Sequence, residues 1–237
     1  MRKVNIEGTA NIVNLCVNYN IKKLCYVSSI ATLGHSMNQQ PISEESEKNE
    51  SQYESDYAIT KYGAETEVWR ASQEGVDVVI VNPGVILGAG FFNEGSGKIF
   101  TKIYNGFKFY TEGITGFIGV KDVVKLMILL TKSDIKNERF ILVSENLSFK
   151  KLFLLIAKSF DKKAPSIKIN TVIISCIWRI NWLLSKFIGK DLFPNKNTAK
   201  SSQNKTYYTS KKIKQKLNYN FETIENVIKK ICLNFNP

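Results

Sequence analysis

The chain has 237 residues, 43% hydrophobic and 23% charged, a globular balance that excludes a disordered polymer. Lys and Arg number 33 against 21 Asp and Glu, and the net charge of +12 favours anionic partners. Four cysteines without C-x-x-C spacing argue against a disulfide framework or zinc site, and the single histidine, His35, rules out a multi-histidine metal centre.

The opening MRKVNIEGTA holds no apolar run of the kind a secretory leader carries, so a reduced, cytoplasmic protein is expected. Val4, Ala10, Ile12, Val13, Cys16 and Val17 fall at near-helical spacing and predict a helix over 4–18. LCYVSS, at 24–29, is a short run of strand formers. Residues 35–56 are polar, with Glu44, Glu45, Glu47 and Glu50, and read as a solvated loop. A helix is predicted over 57–74, with Ser55 or Asp56 as its cap. VDVVIVN, at 76–82, is a nearly continuous β-branched run ended by Pro83. Such a run suits a parallel strand covered on both faces.

Helix, strand, helix and strand in this order imply an α/β fold with a Rossmann-type doubly wound parallel sheet. Further on, 120–132 reads as a helix, 139–144 as a strand, and 149–160 and 222–234 as helices. A boundary is expected near residue 145, with a smaller, mixed and more basic region over 146–237. Within that region, 171–189 is the most apolar stretch, but Arg179, Asn181 and Lys186 interrupt it. A central charge costs roughly 2–3 kcal/mol in a bilayer, so a buried or interface helix is expected there and no transmembrane segment. Residues 190–216 hold eight lysines and one acid, Asp191. No arginine and no nucleic-acid motif accompanies them, so they read as a solvated face and no nucleic-acid partner is expected.

The chemistry-bearing candidate is Tyr57-Ala58-Ile59-Thr60-Lys61. On a helix, residues i and i+4 share a face, so the phenol and the ammonium lie one turn apart. A nearby cation stabilises phenolate, which makes a tyrosine usable as an acid/base near neutral pH. The spacing alone is common here: Tyr19/Lys23, Tyr104/Lys108, Tyr207/Lys211 and Tyr208/Lys212 share it. Tyr57 differs by opening a helix between two apolar strands. The first of these strands ends in Ser28-Ser29, at the carboxyl edge where open α/β sheets bind ligands.

N-I-E-G-T-A-N at 5–11, Y-V-S-S-I-A-T-L-G at 26–34, Y-A-I-T-K at 57–61 and V-N-P-G-V-I-L-G at 81–88 follow one another in order. This series resembles the extended short-chain dehydrogenase/reductases, the group of NAD-dependent epimerase/dehydratases, and within it the dihydroflavonol-reductase-like and hydroxysteroid-dehydrogenase-like members. F-I-G-V-K-D-V-V at 117–124 resembles a later passage of the same family, with a looser echo at 209–221. The resemblance implies Tyr57 as catalytic acid/base and Lys61 as its cationic partner on the nicotinamide ribose. Ser29, five residues before Gly34, would align the substrate oxygen. Asn5 would lie near the cofactor, and the Pro83–Val85 backbone along the nicotinamide. The implied reaction is hydride transfer between NAD or NADP and a small carbonyl or alcohol substrate, and the implied assembly is a homodimer through the helices at 4–18 and 57–74. The alternative is a non-catalytic remnant, or a dimerising binding module, on the same scaffold.

A dinucleotide site also needs a glycine-rich turn between a first strand and helix, where backbone N–H groups meet the pyrophosphate. No G-x-G-x-x-G precedes Asn5. Gly84, Gly88 and Gly90 follow a strand at the wrong spacing, and Gly95-Ser96-Gly97-Lys98 has Ile99 where a phosphate loop needs Ser or Thr. On this reading 1–145 is the later portion of a Rossmann-type domain whose glycine-rich amino-terminal half is missing. His35, just after the serine strand, reads as a surface-loop residue.

Overall fold

The computed structural model describes residues 1–34, 40–46, 55–170, 178–179 and 202–235. His35, nearly all of 171–189 and the lysine-rich window up to residue 201 therefore lie outside the described residues. In chain order the elements are a π-helical turn (Lys3–Glu7), α1 (Gly8–Asn18), β1 (Lys23–Val27), a 3-10 turn (Ile30–Thr32), α2 (Asp56–Gln73), β2 (Asp77–Pro83) and β3 (Val85–Leu87). There follow α3 (Gly97–Tyr104), β4 (Phe109–Tyr110), β5 (Ile114–Gly119), α4 (Val120–Lys132), β6 (Glu138–Leu142), β7 (Glu145–Ser148), α5 (Phe149–Ser159), β8 (Ile167–Lys168), α6 (Lys211–Leu217) and α7 (Ile224–Leu233).

Two compact units divide the chain. The first is Met1–Ile86, Phe117–Ser144 and Tyr208–Glu222; the second is Leu87–Gly116, Glu145–Tyr207 and Thr223–Pro237. The first unit is built on a parallel sheet in the order β1-β2-β6, with Val27 beside Val81 and Pro83 beside Leu142. Strand residues alternate between the faces of a sheet. Val78 and Ile80, with Leu24 and Tyr26, therefore pack against Val13 and Cys16 of α1 and Val68 and Ala71 of α2. Val79 and Val81, with Cys25 and Val27, pack on the opposite face against Val123, Leu126 and Leu130 of α4. Both faces are dry, which is why the run at 76–82 carries no polar alternation. Each side chain so buried contributes roughly 1.5–3 kcal/mol.

The division departs from the expected single boundary near 145, and the packing shows why. The segment 208–222 returns to the first unit. Ser210 Oγ donates to the Val143 carbonyl at 2.9 Å and accepts from the Val143 N–H at 2.8 Å. Ile213 is fully buried in the α4-side core. Tyr219 Oη donates to Asp122 Oδ1 at 2.7 Å, and Asp122 Oδ2 accepts from the Glu222 N–H at 3.0 Å. Burial, and then Asp122 beside it, push the Tyr219 phenol well up. Residues 87–116 meanwhile join the second unit through α3. There Tyr104 meets Phe160 and Phe235 with ring centroids 5.2 and 5.0 Å apart, and Phe92 meets Phe235 at 4.6 Å.

Two other expectations change. Residues 40–46 are not wholly a solvated loop: Ile42 is 1% exposed and packs with Ile141 and Val143, and Glu44 is buried and accepts from the Ile141 N–H at 2.8 Å. The glycines of Gly95-Ser96-Gly97-Lys98 serve a turn. Gly95 has a φ of +48°, and a Cβ on Gly97 would stand 2.0 Å from the Phe91 carbonyl oxygen. Among the described residues no helix is long and apolar enough to cross a membrane.

Candidate active site

The site begins with the start of α2. Ser55 Oγ accepts from the Ala58 N–H at 3.2 Å, an N-cap that begins the helix at Asp56. Tyr57 consequently falls in the first turn and is 44% exposed. Lys61 follows one turn later and is anchored to the end of β1. Its ammonium donates to the Val27 carbonyl at 2.6 Å and to Tyr26 Oη at 3.0 Å, and sits 4.6 Å from the Tyr26 ring centroid. An ammonium has three N–H groups, so two are committed to β1 and one is left for a ligand oxygen.

Ser29 lies two residues beyond β1. Its Oγ accepts from the Ala31 N–H at 3.1 Å, capping the 3-10 turn, and a hydroxyl that accepts in this way keeps its own proton to donate. Asn5 lies in the π-helical turn and donates through Nδ2 to Thr60 Oγ1 at 3.0 Å, while Thr60 Oγ1 donates to the Tyr57 carbonyl at 3.0 Å. The two helical segments cross closely here, for a Cβ on Gly63 would lie 2.7 Å from Ile6 Cδ1. Pro83 ends β2 opposite Leu142, the Gly84 N–H donates to the Leu142 carbonyl at 3.0 Å, and Val85 opens β3. Asn5, Ser29, Tyr57, Lys61, Pro83 and Val85 thus all belong to the first unit. Hydrogen bonds tie Lys61 to the carboxyl end of β1 and Asn5 to the first turn of α2.

Beneath them is a polar cluster that sequence reasoning missed. Glu65, 1% exposed, receives the Ser28 hydroxyl on Oε2 at 2.6 Å and the Asn82 Nδ2 at 3.1 Å. Thr32 Oγ1 lies 3.0 Å from the same oxygen and 2.8 Å from the Ser29 carbonyl, one proton serving the two. Asn82 Nδ2 also reaches the Ser29 carbonyl at 3.2 Å and Thr32 Oγ1 at 3.0 Å. Arg139 Nη1 stands 3.6 Å from Glu65 Oε1. The available signal was Glu65 four residues after Lys61, a carboxylate inside the buried stripe of Ala64, Val68 and Ala71. Tyr26 and Thr60 gave no comparable signal, because their roles depend on partners far away in sequence.

No group of three or more His, Cys, Asp or Glu among the described residues is arranged to hold a metal ion. Burial pushes the Cys25 thiol up, against weaker lowering by the Thr131 hydrogen bond and the Lys23 charge, and burial pushes Cys232 up to about 12. Thiols kept protonated in this way are poor nucleophiles. The polar groups gathered at the sheet's carboxyl edge can hydrogen-bond a ligand and transfer protons.

A parallel sheet covered by helices on both faces, with these residues at its carboxyl edge, defines a Rossmann-like α/β protein. The chain belongs to the NAD-dependent epimerase/dehydratase family, whose model matches residues 1–142. It is 27% identical over 226 residues to a Synechocystis protein named "Putative dihydroflavonol 4-reductase", covering 90% of this chain and 64% of that one. Among solved structures it is similar to gox2253, with a TM-score of 0.83, 25% identity, and coverage of 99% of this chain and 72% of that one. It also shares its fold with the Bordetella bronchiseptica enzyme WbmG, solved in complex with NAD and UDP, at a TM-score of 0.68 and 14% identity, covering 97% of this chain and 64% of that one. The chain spans less than two thirds of the length of the curated relatives it matches.

Proposed function

We propose that this chain is the catalytic-residue-bearing part of an NAD(P)-dependent oxidoreductase acting on a small ketone, aldehyde or alcohol. One observation carries the reading: Lys61 is fixed to β1 by two hydrogen bonds while Tyr57, one turn away, keeps its phenol at the surface. A cation held in place one helical turn from an accessible tyrosine is an arrangement that a tyrosine acid/base can use. Tyr57 would pass the proton to or from the substrate oxygen, and Ser29 would hold that oxygen with its hydroxyl proton. When bound, the nicotinamide cofactor supplies or accepts the hydride. The remaining Lys61 N–H suits a ribose hydroxyl, Asn5 braces the first turn of α2, and the Pro83–Val85 backbone would line the nicotinamide. The reductase name of the Synechocystis relative favours carbonyl reduction over sugar-nucleotide chemistry.

The residues fit the nicotinamide end of a dinucleotide, but no glycine-rich turn in the 237 residues fits its pyrophosphate. That half of the site would come from a segment preceding this sequence, in keeping with the 64% coverage of the Synechocystis protein. Exposed Ile12 and Leu15 on α1, and Ile59 and Tyr62 on α2, favour a homodimer through these helices.

The test is fluorescence titration of NADH and NADPH into this chain and into a chain extended upstream in frame, followed by turnover on a panel of ketones and aldehydes. The extended chain should bind and turn over, and Tyr57→Phe should stop turnover while cofactor still binds. Normal turnover by Tyr57→Phe would sink the assignment. Cofactor binding without turnover of any carbonyl or alcohol would favour the binding-module alternative.

A further inference from the structure

The structure assigns Glu65 as a positioning residue: its buried carboxylate clamps the Ser29 segment to α2 and so fixes Ser29 relative to Tyr57 and Lys61. The inference rests on the oxidoreductase reading of those three residues.

Tyr57, Lys61 and Glu65 follow one another at intervals of four along α2. Eight residues of helix rise about 12 Å, so Glu65 is too deep to touch the reacting atoms and can act only through others. Its contacts bracket Ser29. Ser28 donates to it from one side, Thr32 lies against it from the other, and Asn82 links it to the carbonyl of Ser29 itself. Asn82 is also the residue before Pro83, so the same carboxylate ties the ends of β1 and β2 together. Arg139 on β6 balances the charge, and its Nε and Nη2 continue to the Glu44 carbonyl. A buried hydrogen-bond network rigidifies the segments it joins. In this one Asn82 binds through Nδ2 alone, and its Oδ1 is buried without a partner among the described residues. A 28–33 segment free to shift by about 1 Å would misplace the Ser29 hydroxyl.

A bland alternative is that Glu65 only neutralises Arg139. Replacing both partners of a buried ion pair with apolar residues often preserves or raises stability. Under the bland reading the double substitution Glu65→Met/Arg139→Met should then behave as wild type. Under the clamp reading it should fold yet leave Ser29 loose.

The experiment compares the wild type, Glu65→Met, Arg139→Met, the double variant and Ser28→Ala, all in the chain extended upstream in frame. It uses thermal unfolding, hydrogen exchange by mass spectrometry, and turnover on the carbonyl panel. In the double variant, amides 31–33, two of which donate to Ser29, should exchange at least about 10-fold faster while those of α4 stay protected. Turnover should fall by roughly 10–100-fold in kcat, with the KM for NADH or NADPH changed by less than about 2-fold. Ser28→Ala, which keeps the ion pair, should show the same local exchange to a smaller degree. Wild-type protection of 31–33 in both the double variant and Ser28→Ala would overturn the clamp. So would loosening spread evenly over the whole chain, or an unchanged kcat. If the wild type turns over nothing on the panel, the oxidoreductase reading fails while the exchange data still decide whether Glu65 holds the segment.

Discussion

Helices α2 and α4 cover opposite faces of the same three strands, yet they bury different things. α4 turns Val123, Leu126 and Leu130 to the sheet, with Asp122 at its first turn satisfied by Tyr219. α2 turns in Ala58, Ala64, Val68 and Ala71, but also Thr60 and Glu65. Its polar inward residues are the ones bonded to Asn5, Ser28 and Asn82. One face of the sheet is packed for stability, and the other gives up apolar burial to place side chains at the strand ends. Truncation on the α4 side should therefore cost stability alone, and changes at the exposed end of α2 should cost function more than stability.

The largest stability effect expected of a single truncation on the α4 side is that of Leu126→Ala. Leu126 is fully buried between Val79, Val81 and Phe140. Removing its side chain loses transfer energy and leaves a cavity, for a destabilisation of about 3 kcal/mol. Chemical denaturation would measure it, and a loss below about 1 kcal/mol would mean that the α4 side is not the close-packed face described here.

The same contrast explains what could be read without a structure. The helix expected over 120–132 has exactly those ends, because a regular apolar stripe and a dry partner surface leave little freedom. The strand over 76–82 and the helix over 57–74 are each found within a residue or so. The Tyr57/Lys61 pair was legible because both members lie on one helix. Glu65 was not, because its partners stand 17 to 37 residues away and, at Arg139, on another strand. Between 85 and 119 the strands are only two to six residues long, too short for a period to emerge. α6 was hidden in a lysine-rich window: Ile213 gives it a buried anchor, while Lys212 and Lys216 pair with Glu138 at 2.9 and 3.0 Å. The polar run over 35–56 hid Ile42 for the same reason, an apolar residue flanked by polar ones.

A middle-sized effect is expected of Tyr219→Phe. It removes one hydrogen bond to a buried carboxylate while keeping the ring, and should cost about 2 kcal/mol. Because this bond attaches 208–222 to α4, proteolysis should cut that segment first. Ser55→Ala is smaller, about 1 kcal/mol for a lost N-cap. It unwinds the turn that carries Tyr57, so it should lower turnover by more than its effect on unfolding implies. Equal losses in both would place Ser55 with the packing residues.

Tyr57→Phe should have the smallest effect on stability, within about 0.5 kcal/mol, because an exposed side chain has little burial to lose. Its effect on turnover should be the greatest, roughly 100–10,000-fold, if the phenol is the proton donor. Denaturation and steady-state kinetics on the same preparation test both halves. A variant that is markedly destabilised would show that the phenol supports the fold, and the division of labour between α2 and α4 would no longer hold. A stable variant with little or no turnover places the chemistry at the start of α2, on a residue the core does not need.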